Sequence, residues 1–356
     1  MTPSLNLSAW QSRRLPHDNF LGTSRPLRST SRRKTAILRR YNLGREFVHP
    51  LKIVKLAQTE QQNPRSRGLD RKSTLEILRV LNNEDARVAA AVRRQLPQIL
   101  KAVNAIVKAL SRNGKLIYIG AGTSGRMAVL DAAECPPTFG TDPSMVQAII
   151  AGGERALRYA TEDAEDSVSA GSHDLKRAKI SSRDVIVGVS ASGTTPYVLG
   201  AVAFAKKRGA LTVGITSNKN SPLARESRIP ITPETGPEAV TGSTRMKAGT
   251  AQKMVLNLLS TAVMVRMGRV YDNWMIHVAL TNAKLRRRGA EILQAAAGVD
   301  ASTAEHALRQ AQHKLPIALV MLKSNVGAGD ARKALAAARG NVRQALAKAR
   351  RLQKGN

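Results

Sequence analysis

The sequence predicts an α/β fold: a parallel sheet covered by helices on both faces, with further helices before and after it. Three observations predict it. Four short apolar runs, Leu116–Ile119, Val146–Ile150, Val185–Val189 and Leu211–Ile215, each give way to glycine or hydroxyl residues. Segments of helical length and pattern lie between them, for example 196–208. The runs are mainly apolar rather than alternating, as expected of strands buried on both faces and joined by helical crossovers. A chain of 356 residues, 42% hydrophobic, has room for about two domains and a sizeable core.

Each element follows in order. Residues 1–56 are rich in arginine and serine and show no sustained helical or strand period. They read as a basic, disordered extension, with an organelle transit peptide or a basic arm as the functional alternative. Organised sequence starts near Thr59, and 57–105 reads as a helical segment. Ser73-Thr74-Leu75-Glu76 has the spacing of a capping box and opens a helix through Leu75, Leu78 and Leu81. Ile99, Leu100, Val103, Ile106, Val107 and Leu110 line one face of a second helix, which Asn113-Gly114 stops. The four strands come next, then a weaker fifth at Ile229-Pro230-Ile231, where proline points to a sheet edge. Residues 246–268 form one long helix and 270–297 a connecting helix. Residues 298–356 read as a small helical domain of three short helices, Ala301–Gln312, Ile317–Lys323 and Ala331–Leu352.

Composition narrows the function classes. Cys135 is the lone cysteine, so no intramolecular disulfide and no cysteine zinc cluster can form, which fits a reducing, cytoplasmic setting. No apolar run reaches the roughly 18 residues of a membrane-spanning helix, and no apolar secretory core follows Met1. The six histidines lack metal-ligand spacing, and there is no Walker loop. The net charge of +32 is unusual; residues 1–55 alone hold twelve basic residues against Asp18 and Glu46. Such a surface attracts anions of any kind. Aromatic residues are 3% of the chain, too few for base-stacking platforms, so any binding of nucleic acid is expected to be non-specific.

Two loops carry the strongest chemical signal. Gly120-Ala121-Gly122-Thr123-Ser124-Gly125-Arg126 follows a strand and opens a helix, whose N-terminal amides suit a phosphate. Gly120, Gly122 and Gly125 have the spacing of the dinucleotide fingerprint, but no acidic residue about 20 positions on follows a second strand in the required way, so that fold is a weaker alternative. Ser190-Ala191-Ser192-Gly193-Thr194-Thr195 is a second anion cradle at another strand end. Either loop alone also reads as an ordinary strand-to-helix turn. A third stretch, Thr241 to Thr250, brings Arg245 and Lys247 to the start of the long helix and suits an anion, or is simple capping with solvated charges. Two carboxylates stand out. Glu134 precedes Cys135-Pro136-Pro137, where the proline pair is expected to end the helix and pin the carboxylate. Glu165 lies in Glu162-Asp163-Ala164-Glu165-Asp166, where crowded like charges favour a raised carboxyl pKa. Composition does not choose between Glu165 and Glu162, and a solvated acidic helix start is the plain alternative. Cys135 reads as a small packed residue rather than a nucleophile.

Residues 57 to 350 resemble the N-acetylmuramic acid 6-phosphate etherase family of sugar-phosphate lyases. The resemblance runs through Asn63-Pro64-Arg65-Ser66-Arg67-Gly68-Leu69-Asp70, Gly120 to Arg126, Asp131 to Gly140, Ala151-Gly152-Gly153, Ser192-Gly193, Thr195-Pro196-Tyr197 and Thr241 to Lys253. It implies a sugar isomerase (SIS) domain over 106–269, a three-layer α/β/α sandwich, and a homodimer with active sites near the subunit interface. It further implies Ser124, Ser190, Ser192 and Thr195 as holders of a sugar phosphate, Glu134 as proton donor and Glu165 as base. The implied reaction cleaves the D-lactyl ether to give N-acetylglucosamine 6-phosphate and D-lactate, in amino-sugar catabolism and peptidoglycan recycling, with neither metal nor organic cofactor. An acid and a base active at one pH need surroundings that separate their pKa values. Two positions depart from the pattern: Thr194 stands where arginine is common, and His277 where aspartate is expected. The alternative is a non-catalytic sugar-phosphate sensor similar to the glucokinase regulatory protein. Its two SIS modules contrast with the single set of loops here, and both glutamates favour the enzyme.

Overall fold

A computed structural model describes residues 57–354; the N-terminal stretch 1–56 lies outside the described residues. The Ser73 hydroxyl accepts the Glu76 amide at 3.4 Å while the Glu76 carboxylate accepts the Ser73 amide at 2.9 Å. This capping box opens α1 (Thr74–Asp85), followed by α2 (Val88–Arg93) and α3 (Leu96–Leu110). Strands and helices then alternate: β1 (Leu116–Gly120), α4 (Gly122–Phe139), β2 (Val146–Ile150), α5 (Arg155–Arg158), α6 (Val168–Arg177), β3 (Val185–Val189), α7 (Pro196–Lys207), β4 (Leu211–Ile215), α8 (Pro222–Glu226) and β5 (Ile229–Ile231). The long helix is α9 (Lys247–Arg266), and five shorter helices close the chain: α10 (Ala283–Ala297), α11 (Ala301–Gln310), α12 (Leu315–Ser324), α13 (Ala328–Ala337) and α14 (Val342–Lys354).

The five strands are parallel in the order β2-β1-β3-β4-β5. The strand with the proline is at the edge, as a missing ladder donor requires. Side chains alternate across the sheet. Leu116, Tyr118, Val185, Val187 and Val213 pack with α3, α4 and α9, whereas Ile117, Ile119 and Ile186 pack with α6 and α7. Both faces are therefore apolar, and the result is the three-layer α/β/α sandwich. A separate apolar cluster, including Leu293, Leu308, Leu319 and Ala345, holds α10 to α14 together.

Several expectations give way. Helix α3 runs through the 105/106 boundary without a break. Only 283–297 of the connecting stretch is helical; Asp272 is left-handed (φ 53°), and the Asn282 side chain starts α10 by accepting the Leu285 amide at 2.9 Å. The last long helix is two, because Arg339 and Gly340 are both left-handed and the Gly340 amide turns back to the Leu335 carbonyl at 2.8 Å. Pro136 and Pro137 do not end α4. They lie in its final turn, where the carbonyls of Ala132 and Ala133 go without amide partners, and the helix closes at left-handed Gly140. Leu75 and Leu78 are 56% and 57% exposed, so the leucine stripe of α1 faces away from this chain's core.

Where the C-terminal helices meet the sheet layer, side chains donate to backbone carbonyls, and the bond from Arg339 is the one of these that joins the two parts. Arg339 donates to Ser111 O (3.2 Å), Arg269 to Gly140 O (3.4 Å) and neutral His277, from Nε2, to Gly340 O (3.2 Å). Burial and the neighbouring Arg269 push the His277 imidazole down to about 4, against the pull of its bond to Gly340.

Candidate active site

In a parallel sheet every strand delivers its following loop to the same end. Order 2-1-3 places the switch of direction between β1 and β3, and crevices at such points take ligands. Gly120 is in register with Val189, so the first turn of α4 emerges beside the Ser190–Thr195 loop. In that loop the Ser190 hydroxyl lies 2.8 Å from the Thr195 hydroxyl and 3.5 Å from that of Ser192, and accepts the Gly193 amide at 3.0 Å. Ser192 and Thr194 share a hydroxyl contact of 2.8 Å. Ser124, buried, belongs to the first turn of α4, whose amides carry the partial positive charge of an 18-residue helix. The sequence nominated Ser124, Ser190, Ser192 and Thr195, and the fold delivers all four to this end of β1 and β3.

The two glutamates part company. Glu165 sits in a 3-10 turn (Glu162–Glu165) on the crossover after β2 and is half-buried. Gly122 is left-handed (φ 51°), and a Cβ there would stand 2.8 Å from Glu165 Oε1. The carboxylate thus lies directly against the first turn of α4. Glu134 is exposed, on the same helix but twelve residues along, about 18 Å at 1.5 Å per residue. One chain does not bring the two carboxylates together. Glu134 instead lines a groove of about 300 Å³ between α4 and α9, with Asp131, Lys253, Asn257 and Ser260. Within it Ser260 donates to buried Asp131 at 2.9 Å, and burial raises the Asp131 carboxyl above its ordinary value. The sequence reading missed Asp131, although it falls inside a motif that carried the family resemblance.

One nominated feature, the start of the long helix, is structural. The amides of Lys247 and Ala248 donate to the Glu238 carboxylate at 3.0 and 2.9 Å, so the start of α9 is occupied from within the chain. Lys247, 1% exposed, pairs with Glu84, which also holds Arg65 and Asn63. These donors keep the Glu84 carboxyl down at about 2, with Arg65 the largest contributor. Within Thr241–Thr250, Lys247 therefore belongs to an internal ion-pair network, and the α9 start is turned to Glu238 rather than to a ligand. Cys135 is buried, its thiol pushed up to about 12 chiefly by burial, and is a packing residue. Among the described residues no group of three or more His, Cys, Asp or Glu could hold a metal. Nor is any helix among them long and apolar enough to cross a membrane.

Comparison with known proteins bears on this arrangement. The glucokinase regulatory protein N-terminal SIS domain matches residues 98–206, and the SIS domain residues 161–262. A curated N-acetylmuramic acid 6-phosphate etherase of Edwardsiella ictaluri (strain 93-146) is 52% identical over 288 residues, 81% of this chain and 96% of that protein. Proteins of the same name from Actinobacillus pleuropneumoniae serotype 5b (strain L20) and Yersinia pestis (strain Pestoides F) are each 49% identical over 81% of this chain, covering 95% and 98% of their own lengths. The chain belongs to the N-acetylmuramic acid 6-phosphate etherase family. Etherases of this name are carbon–oxygen lyases, and membership and SIS fold are those the sequence motifs implied. Solved structures similar to the chain include a putative phosphosugar isomerase from Bacteroides fragilis NCTC 9343 (22% identical, 56% of this chain and 95% of that one, TM-score 0.43). Another is the Vibrio vulnificus NanR protein complexed with ManNAc-6P (18% identical, 54% and 66%, TM-score 0.37).

Proposed function

We propose that this etherase-family chain cleaves the D-lactyl ether of N-acetylmuramic acid 6-phosphate. The observation that carries the reading is the placement of the Glu165 carboxylate against the first turn of α4, at the end of the sheet that holds Ser124 and the Ser190–Thr195 loop. A phosphate held by these hydroxyls and by the α4 amides fixes the sugar with its C2 and C3 toward that carboxylate. Glu165 takes the C2 proton, which the C1 aldehyde of the open-chain sugar makes acidic. The C–H electrons form the C2–C3 double bond, the C3–oxygen bond breaks, and Glu134 protonates the departing lactate oxygen. Water then adds across the double bond to give N-acetylglucosamine 6-phosphate, a step of amino-sugar catabolism and peptidoglycan recycling.

We assign Glu134 to the site of a second copy of the chain, because about 18 Å of α4 separates it from Gly122, against which Glu165 lies. The helices on its face of the sheet support that assignment. Leu75, Leu78, Leu96, Leu100, Leu130 and Val265, on α1, α3, α4 and α9, are all exposed large apolar side chains. A homodimer formed on this layer buries them and carries Glu134 to the other protomer's phosphate loops. The phosphorylated substrate and the lone thiol fit a cytoplasmic enzyme. The deciding experiment is D-lactate release from N-acetylmuramic acid 6-phosphate by the parent, Glu134→Gln and Glu165→Gln. Both variants are expected to lose about 10²–10⁴-fold in kcat while still binding the sugar phosphate. A parent that binds it and releases no lactate would be a sensor, not a lyase.

A further inference from the structure

The hydroxyl loop is gripped from behind by a residue that the mechanism does not use. Asn218 lies in the turn after β4, next to the Ser190–Thr195 loop because β3 and β4 are neighbours. Its side-chain amide donates to Ser192 O at 3.0 Å, Ala191 O at 3.3 Å and the Thr59 hydroxyl at 3.4 Å. Its side-chain oxygen accepts the Gln58 amide at 2.9 Å, and its own amide donates to the Thr216 hydroxyl at 3.2 Å. Thr216 passes a hydroxyl bond on to Ala191 O at 3.2 Å. The loop has no slack on that side: Gly193 is left-handed (φ 72°), and a Cβ there would stand 2.2 Å from the Ser221 hydroxyl. Asparagine fits because one side chain must donate to two loop carbonyls and accept from the incoming chain at once.

Building on the phosphate-cradle reading above, we propose that Asn218 is its positioning residue. It orients the Ala191 and Ser192 carbonyls, and so aims the Ser190, Ser192 and Thr195 hydroxyls, while clasping the chain at Gln58 and Thr59. Affinity for the phosphate then depends on a side chain that does not touch it.

The test is calorimetric titration of the full chain with inorganic phosphate, together with kcat and KM for lactate release. Asn218→Ala is expected to weaken phosphate binding and raise KM by about tenfold, with kcat within about threefold of the parent. Asn218→Ser, which keeps one donor on a shorter side chain, is expected to fall between, and decides the matter if the alanine variant does not fold. A lowered melting temperature with unchanged Kd and KM in the folded variant would overturn the inference, leaving Asn218 a purely structural residue. Ser192→Ala separates the two layers of the argument. If it leaves phosphate affinity intact, the cradle itself is wrong and the inference falls with it. If it weakens affinity and Asn218→Ala does not, only the role of Asn218 is refuted.

Discussion

At Gly122 the absence of a side chain gives Glu165 its place. Gly122→Ala sets a Cβ 2.8 Å from the carboxylate oxygen and forces a left-handed alanine, a strain of about 1 kcal/mol. The expected outcome is a folded protein whose kcat falls at least tenfold with phosphate affinity little changed, checked by steady-state kinetics beside phosphate titration. Lys247 makes the opposite case, a cation among hydroxyls that serves the fold. Lys247→Met leaves Glu84 buried without its ammonium and is expected to destabilise the protein by about 3–5 kcal/mol in urea unfolding. Pairing it with Glu84→Gln should restore most of that. A Lys247→Met protein of parental stability that had lost its substrate would return the residue to the ligand.

Elements were legible in the sequence to different depths. The strands were, because β-branched runs broken by glycine have few alternatives, and so was the capping box at Ser73. Helix α1 could be read as a helix, but not what its leucines face, since a stripe gives a direction and not a partner. Glu165 could not be separated from Glu162 along the chain. Its position comes from a 3-10 turn on one crossover meeting the helix of another. Lys247 was misread for a similar reason, as its partner Glu84 is 163 residues away. The junction with the C-terminal helices yields a pH prediction. Folded His277 titrates near 4 and an unfolded histidine near 6.5. Between those values the unfolded chain binds a proton that the folded one refuses, so stability falls as pH drops through this window. His277→Asn is expected to flatten that slope in thermal melts between pH 7 and 4. An unchanged slope would place the titration elsewhere.

The whole molecule sets two further expectations. If Glu134 serves the site of a second copy, inactive Glu134→Gln and Glu165→Gln proteins should rescue each other when subunits exchange. Half the random dimers are then mixed, each with one intact site and one doubly impaired site, so about a quarter of parental activity returns. Sites complete within one chain would show no rescue. The second expectation concerns the order in which the chain is made. Thr59 and Gln58 dock on Asn218, 159 and 160 residues downstream. β1 needs β3, and every strand pairing spans a crossover rather than a hairpin. On the ribosome the first docked segment therefore has nothing to rest on until more than half of the chain has emerged. The site closes only once β4 and the turn after it have emerged, and a nascent protein stalled before β4 would have an unpaired β3 edge, the part of the sheet layer that α9 covers still open, and no pocket. Such an intermediate is a client for chaperones, and pausing there is expected to favour aggregation over release.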